Sequence, residues 1–110
     1  MGLIHKQFLS GNRIYGCSGC KTHLATKDGV MSTAFQGQHG RAYLFQTVVN
    51  VIEGPPQDRP MTTGLHTVRD IKCCECYQVI GWRYVKAYNE DQRYKEGRYI
   101  LEKELLIVVS

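Results

Sequence analysis

Two cysteine pairs, Cys17-Ser18-Gly19-Cys20 and Cys73-Cys74-Glu75-Cys76, constrain this chain more than any other feature. Each offers two thiols at the i, i+3 spacing of a zinc knuckle, a tight turn whose sulfurs converge on one point. Zinc takes four ligands in a tetrahedron, with sulfur at about 2.3 Å. Four thiolates leave no open coordination position, so such an ion is structural rather than catalytic. The stretch between the pairs, Lys21 to Lys72, holds several strands' worth of residues, so one metal would join distant parts of the chain. A CxxC pair can also be a redox couple, and two pairs can be disulfides. Redox pairs usually sit at a strand-to-helix junction, whereas both pairs here lie in Gly- and strand-rich sequence. Five cysteines is an odd count, which fits a disulfide framework poorly. The spacing of the first pair selects Cys73 with Cys76 and leaves Cys74 spare.

A chain of 110 residues makes one domain with a modest core, which one structural zinc would decisively stabilise. Free thiols on this scale fit a reducing setting, so the expected location is nuclear and cytoplasmic. Met1 to Ser10 holds no long apolar run, and no segment reaches transmembrane length, so no membrane partner is expected. Met1-Gly2 resembles the start of a myristoylation motif, but Lys6 stands where Ser or Thr is required. The net charge of +4 permits nucleic-acid binding without arguing strongly for it.

The remaining pattern is β. Asn12 to Gly16 reads as a strand entering the first knuckle and Lys21 to Thr26 as one leaving it. Val30 to Phe35, Ala42 to Phe45 and Thr47 to Ile52 are rich in β-branched and aromatic residues. Gly54-Pro55-Pro56-Gln57-Asp58 reads as a turn or loop that cannot join a central ladder. Met61 to Lys72 supplies one or two strands broken near Gly64, and Ile80 to Tyr88 a long one. In that long strand Trp82, Tyr84, Lys86 and Tyr88 share one face by alternation. Asn89 to Gly97 is polar and can hold a turn of helix, and Arg98 to Val109 reads as a final strand. Sustained helical periodicity is absent. Each knuckle is followed by an apolar residue four positions on, Leu24 and Ile80, which suggests two hairpins meeting at one metal.

These residues resemble the Yippee family. Phe35-Gln36-Gly37-x-x-Gly40-Arg41-Ala42-Tyr43-Leu44-Phe45 is similar to its central signature. So are Val48-Val49-Asn50-Val51, Gly64-Leu65-His66, Asp70-Ile71-x-Cys73, Gly81-Trp82-x-Tyr84 and Tyr94-Lys95-Glu96-Gly97, and the separation of the two CxxC pairs is also the family's. The resemblance runs from about Tyr15 to Leu105, with Cys74 as a departure. It implies a mostly β fold, the β-tent: two antiparallel sheets pinned at the apex by a four-cysteine zinc site. Residues 1–12 would be a short N-terminal extension and 13–110 the Yippee zinc-binding domain. Related tents bind a small cyclic imide, catalyse sulfoxide reduction or bind RNA, so the fold alone does not set the function. The resemblance also implies nuclear and cytoplasmic proteins, some associated with CTLH-type ubiquitin ligase assemblies.

Four groups of residues are candidates for function beside the zinc ligands Cys17, Cys20, Cys73 and Cys76. Trp82 and Tyr84 alternate on one strand, and in cereblon the matching stretch forms part of an aromatic cage; such a cage attracts cations and flat rings. Large aromatics equally fit a core between two sheets, and Trp82 is the only tryptophan. Gln38 and His39, in the Gly37–Gly40 loop, are candidate pocket-rim groups; the loop lacks the ending of a P-loop and serves equally as a simple turn. His66 can supply a polar contact or be satisfied by one backbone hydrogen bond. Tyr77 to Tyr99 holds five of the seven tyrosines among Arg83, Lys86, Arg93, Lys95 and Arg98, a pattern suited to single strands or to a charged sheet edge. A positioned nucleophile and base cannot be assembled, so an enzyme is not expected. Lys21 and Lys72 flank the knuckles and would offset the charge of a four-thiolate zinc. The resulting expectation is a non-enzymatic, zinc-stabilised adaptor that recognises a protein, a peptide or a small ligand, in a ubiquitin-ligase or cell-division setting. Nucleic-acid binding is the alternative.

Overall fold

A computed structural model describes residues 6–11 and 13–109. Among these residues nine strands form two antiparallel sheets. The smaller sheet has three strands: β1 (Ile14–Cys17), β2 (His23–Thr26) and β9 (Leu106–Val108), in the order β2-β1-β9. The larger has six: β3 (Val30–Gly37), β4 (Gly40–Phe45), β5 (Val51–Met61), β6 (Gly64–Cys73), β7 (Val79–Ala87) and β8 (Tyr99–Glu102), in the order β3-β4-β8-β7-β6-β5. A 3-10 turn over Glu90–Lys95 connects β7 to β8.

Alternation along the large sheet sends neighbouring residues into two separate cores. Phe45, Ile71, Cys73, Ile80 and Leu101 pack against Cys17, Leu24 and Ala25 of the small sheet, which is the interior of the tent. Ala42, Leu44, Val68, Trp82, Tyr84 and Ile100 face the other way and form a second core, flanked by Phe35 from one edge strand and Met61 from the other. β3 and β5 are opposite edges of the sheet, yet both border this second core, so the sheet curls and leaves a concave face. Trp82 and Tyr84 therefore belong to the outer concavity and not to a core between two sheets.

The β fold, the break at Gly64 and the turn after Asn89 follow the sequence expectation. Three local expectations do not. Gly54 to Asp58 lies inside β5 rather than in a loop. Pro56 pairs with Arg69 across an irregularity between Glu53 and Pro56, and β5 is an edge strand, where missing N–H groups face outward at little cost. Thr47 to Asn50 is irregular and β5 starts only at Val51, because Asn50 has a left-handed backbone (φ 61). Its side chain binds the backbone of Gln7 in both directions, at 2.8 Å each, and donates to the His23 carbonyl at 2.6 Å. The final segment is two strands, not one: a 3-10 turn at Lys103–Leu105 carries the chain from the large sheet to the small one.

The long strand β7 also departs from simple alternation. Val68 pairs with Tyr84 and Thr67 with Lys86, which leaves Val85 as an extra residue. This bulge reverses the faces beyond it. Ala87 is fully buried, while Lys86 and Tyr88 are exposed instead of continuing the Trp82–Tyr84 face. Gly81, preceding Trp82, is where β7 crosses closest to β8: a Cβ there would collide with the Ile100 carbonyl oxygen.

Candidate metal centre and ligand pocket

The two knuckles repeat one geometry. In the first, the Cys17 N–H donates to the Thr22 carbonyl (2.9 Å) and the Lys21 N–H to the Cys17 carbonyl (2.7 Å). In the second, Cys73 N–H donates to Gln78 and Tyr77 N–H to Cys73, both at 2.9 Å. Lys21 and Tyr77, each directly after the second cysteine of its pair, both take positive φ, 66° and 63°. Leu24 and Ile80 are the extra residues at matching register shifts in the β1–β2 and β6–β7 hairpins, and both are fully buried in the inner core. The apolar echo seen in the sequence is thus a structural repeat, two similar hairpins facing each other.

Their sulfurs converge. The Sγ atoms of Cys17, Cys20, Cys73 and Cys76 all lie within 4.8 Å of one another. Cys17 to Cys76 and Cys20 to Cys73 are each 3.5 Å. A tetrahedron with sulfur at about 2.3 Å from its centre has edges of about 3.8 Å, so the four thiols bracket a zinc-sized space. Cys74 stands outside the cluster and donates its N–H to Asn50 at 2.9 Å. Burial pushes the Cys17 thiol up to about 12 and raises Cys73 as well. Burial acts on Cys20 too, but hydrogen bonds from the Thr22 hydroxyl and amide, then contacts with Cys73 and Cys76, outweigh it and bring it down to about 7. The amides of Gly19 and Cys20 aim at Cys17, and those of Glu75 and Cys76 at Cys73, which favours their thiolates. Two buried thiols that resist ionising alone, packed against one that ionises readily and ringed by N–H donors, are suited to a divalent cation that makes them all thiolates. The donor set fits one structural zinc. Of the flanking lysines, Lys21 is exposed and Lys72 places its Nζ 5.0 Å from the centre of the Tyr77 ring.

The outer concave face of the large sheet holds a cavity of about 730 Å³. That is the size range of small-ligand sites. Its floor is Trp82 and Tyr84, which are 7% and 2% exposed. Ala34 to Gln38 form one wall, Arg59 to Thr63 the opposite wall, and Gln92, Tyr94 and Lys95 an end. The Trp82 and Tyr84 rings meet edge to face at 6.2 Å. The cavity brings together three of the five residues singled out from the sequence: Gln38, Trp82 and Tyr84.

The two histidines take other places. His39 uses its N–H and its ring Nδ1 to hold Glu102 Oε1, at 2.7 and 3.1 Å, and so ties the β3–β4 loop to β8. His66 is fully buried, bonds the Gly64 carbonyl through Nδ1 at 2.8 Å, and packs on Tyr84 with ring centres 5.3 Å apart. Its Nε2 has no hydrogen-bond partner among the described residues. Burial, and then the charge of Lys95, lower its pKa, so it is neutral at pH 7.

Lys95, expected among the cations of the tyrosine-rich stretch, is instead a pocket residue. It is 3% exposed, donates from Nζ to Thr63 Oγ1 at 3.0 Å, and lies 5.2 and 5.3 Å from the centres of the Phe35 and Tyr84 rings. Burial lowers its pKa, with Asp91 partly opposing. The sequence places it both in the Tyr94-Lys95-Glu96-Gly97 run of the family resemblance and among the cations of the tyrosine-rich stretch, but neither points to the pocket.

On the basic, tyrosine-rich stretch several cations are already engaged. Lys86 lies 4.6 Å from the Tyr88 ring centre and Arg83 5.9 Å from that of Tyr99. Arg83 and Arg69 both reach Glu53, at 3.4 and 3.8 Å. Among the described residues, no helix is long and apolar enough to cross a membrane.

Comparison with known proteins agrees with this architecture. Residues 13–110 match the family model described as Yippee zinc-binding/DNA-binding/Mis18, centromere assembly. The chain is 46% identical to a yippee-like protein of Arabidopsis thaliana over 97 residues, covering 88% of this chain and 92% of that one. It is 49% identical to human yippee-like 3 over 96 residues, covering 87% and 81%. The crystal structure of the Mis18 Yippee-like domain superposes with a TM-score of 0.70 at 14% identity, covering 89% of this chain and 95% of that one. A shared fold follows from that last likeness and nothing finer. With the matched model spanning nearly the whole chain and relatives near half identity, this protein belongs to the Yippee family of zinc-binding β proteins.

Proposed function

We propose that the protein is a non-enzymatic recognition module: zinc on Cys17, Cys20, Cys73 and Cys76 holds the two sheets together, and a protein or peptide partner, or a small ligand, binds in the Trp82–Tyr84 pocket. The observation that carries this reading is the pocket itself. Two large aromatics are nearly buried yet line a cavity of about 730 Å³ at the opposite side of the sheet from the inner core. Core aromatics alone would close such a space. Gln38 stands on the rim, and His39 and His66 support from outside the lining: His39 fixes the rim loop and His66 backs Tyr84. The setting we propose is nuclear and cytoplasmic, in ubiquitin-ligase or cell-division regulation, with a CTLH-type assembly as a partner. Centromere assembly, named in the family description, is a setting of the same kind.

Nucleic-acid binding remains the second reading, because the family description includes DNA-binding and the chain carries net charge +4. The engaged cations of the tyrosine-rich stretch speak against it. One experiment separates the two. Tagged wild-type and Trp82→Ala proteins, each verified as folded and zinc-loaded, are used to capture partners from native extract with and without nuclease. Partners that survive nuclease and are lost with Trp82→Ala support the pocket reading. Partners that survive the substitution and vanish with nuclease refute it in favour of nucleic acid.

A further inference from the structure

We infer that the pocket is a carboxylate receptor, with Lys95 as its charged anchor and the Trp82 indole N–H as a second donor. This inference rests on the pocket reading and names its ligand class. Aromatic walls by themselves favour a cationic ligand. Here the protein fills that position with its own cation: Lys95 Nζ sits against the faces of Phe35 and Tyr84. A second cation entering the cavity would meet this charge in a desolvated space.

Lys95 also has unspent capacity. An ammonium group carries three donors, and the protein partner recorded for it is Thr63 Oγ1. Among the described residues it makes no ion pair; the charge of Asp91 acts on it only at longer range. No aspartate or glutamate lines the cavity, and its other cation, Arg59, is already paired with Asp70 at 3.2 Å. A buried cation without an acid is costly to keep. Beside it, Trp82 Nε1 is a buried donor that meets no acceptor at full hydrogen-bond geometry among the described residues; the Tyr84 phenol, close enough for the indole N–H to favour its ionised form, is its weak partner. A cation with donors to spare and a poorly satisfied indole N–H at one aromatic cavity call for an anion with oxygen acceptors.

The third polar group refines the class. Gln92 also lines the cavity, and its Oε1 is buried without a partner among the described residues, an acceptor suited to an N–H. A carboxylate, an adjacent amide N–H and an apolar or ring side chain for the walls together describe an N-acylated amino acid. That chemistry occurs in a free acylated amino acid and at the C-terminal residue of a peptide.

The single tryptophan makes the test direct. The Trp82 indole N–H gives one resonance in a nitrogen-labelled sample. It is followed while N-acetylphenylalanine, its C-terminal carboxamide, phenethylamine or a tetrapeptide ending in phenylalanine is added to the zinc-loaded protein. The acid is expected to bind about tenfold or more tightly than the carboxamide, since it alone makes charged hydrogen bonds to Lys95. Lys95→Gln, checked for fold and zinc content, is expected to bring the two affinities together. Tighter binding of the tetrapeptide than of the acylated amino acid identifies a peptide end as the source, and the reverse a small molecule. Equal affinities for acid and carboxamide in the wild type overturn the inference without need of a variant. A Trp82 resonance moved by phenethylamine or the carboxamide but not by the acid overturns it while leaving the pocket reading in place. A resonance that none of the ring-bearing probes moves overturns both.

Discussion

Stripping the zinc from this domain is expected to unfold it completely. Among the described residues the two sheets share no hydrogen-bonded ladder. They are joined by the inner core, to which the small sheet contributes Cys17, Leu24 and Ala25, by the sulfur cluster, which takes two thiols from each hairpin, and by hydrogen bonds from Val49 and Asn50 to β2. Domains of this size are stable by about 5–15 kcal/mol. A structural four-ligand zinc supplies about 10–16 kcal/mol at pH 7. Subtracting the second from the first leaves a stability near or below zero. The assay is chelation followed by far-ultraviolet circular dichroism and Trp82 fluorescence, with released zinc counted by a colorimetric reagent. Trp82 lies in the outer core, away from the metal, so its exposure reports global unfolding rather than fraying at the apex. One zinc released per chain, with both signals lost together and restored by added zinc, is the expected result. Release of the metal with an unchanged melting profile would refute the reasoning. So would loss of the small sheet alone with Trp82 still buried, because it would make the six-stranded sheet an independent unit.

Other expectations follow from single residues. Cys76→Ser should abolish stable zinc binding while Cys74→Ser leaves zinc content and melting temperature unchanged; the reverse pattern in a metal analysis would reassign the second knuckle. Gly81→Ala should cost about 3 kcal/mol in a denaturant melt, because the added methyl meets main chain that cannot move aside. Lys95→Met should stabilise the protein by about 1 kcal/mol, because it removes a buried charge held by one hydrogen bond; a lowered melting temperature would show that Lys95 serves the fold and not a ligand. The lowered pKa of His66 makes the unfolded chain bind a proton that the folded one does not, so stability falls as pH drops below the unfolded value of 6.5. A His66→Phe variant should flatten that slope in melts between pH 7 and 5.5 at constant zinc content.

The metal end was legible in the sequence because knuckle chemistry is local. Ligand spacing, the glycine of Cys17-Ser18-Gly19-Cys20 and the apolar residue four positions on all lie within one hairpin. What escaped depends on neighbours supplied by the fold. Pro55 and Pro56 read as a loop until β5 is known to be an edge strand. The crossing from β8 to β9 cannot be seen along Arg98 to Val109, because both halves have strand composition and only the partner sheets differ. The exposure of Lys86 and Tyr88 turns on one extra residue, Val85, whose register is fixed by β6. Asn50 read as strand, although its side chain pins Gln7 and His23. Lys95 read as one more exposed cation of the tyrosine-rich stretch, since lysine is almost never fully buried. The aromatic pair was visible and its polarity was not: a cage expected to attract cations already contains one.

The most direct test of the account is the footprint of a captured partner on labelled, zinc-loaded protein. Titration by two-dimensional nitrogen–proton NMR should move the Trp82 indole N–H and the amides of Phe35 to Gln38 and of Gln92 to Lys95, leaving those around the four cysteines in place. A footprint on Tyr77, Lys86 and Tyr88 with the Trp82 indole unmoved would contradict it.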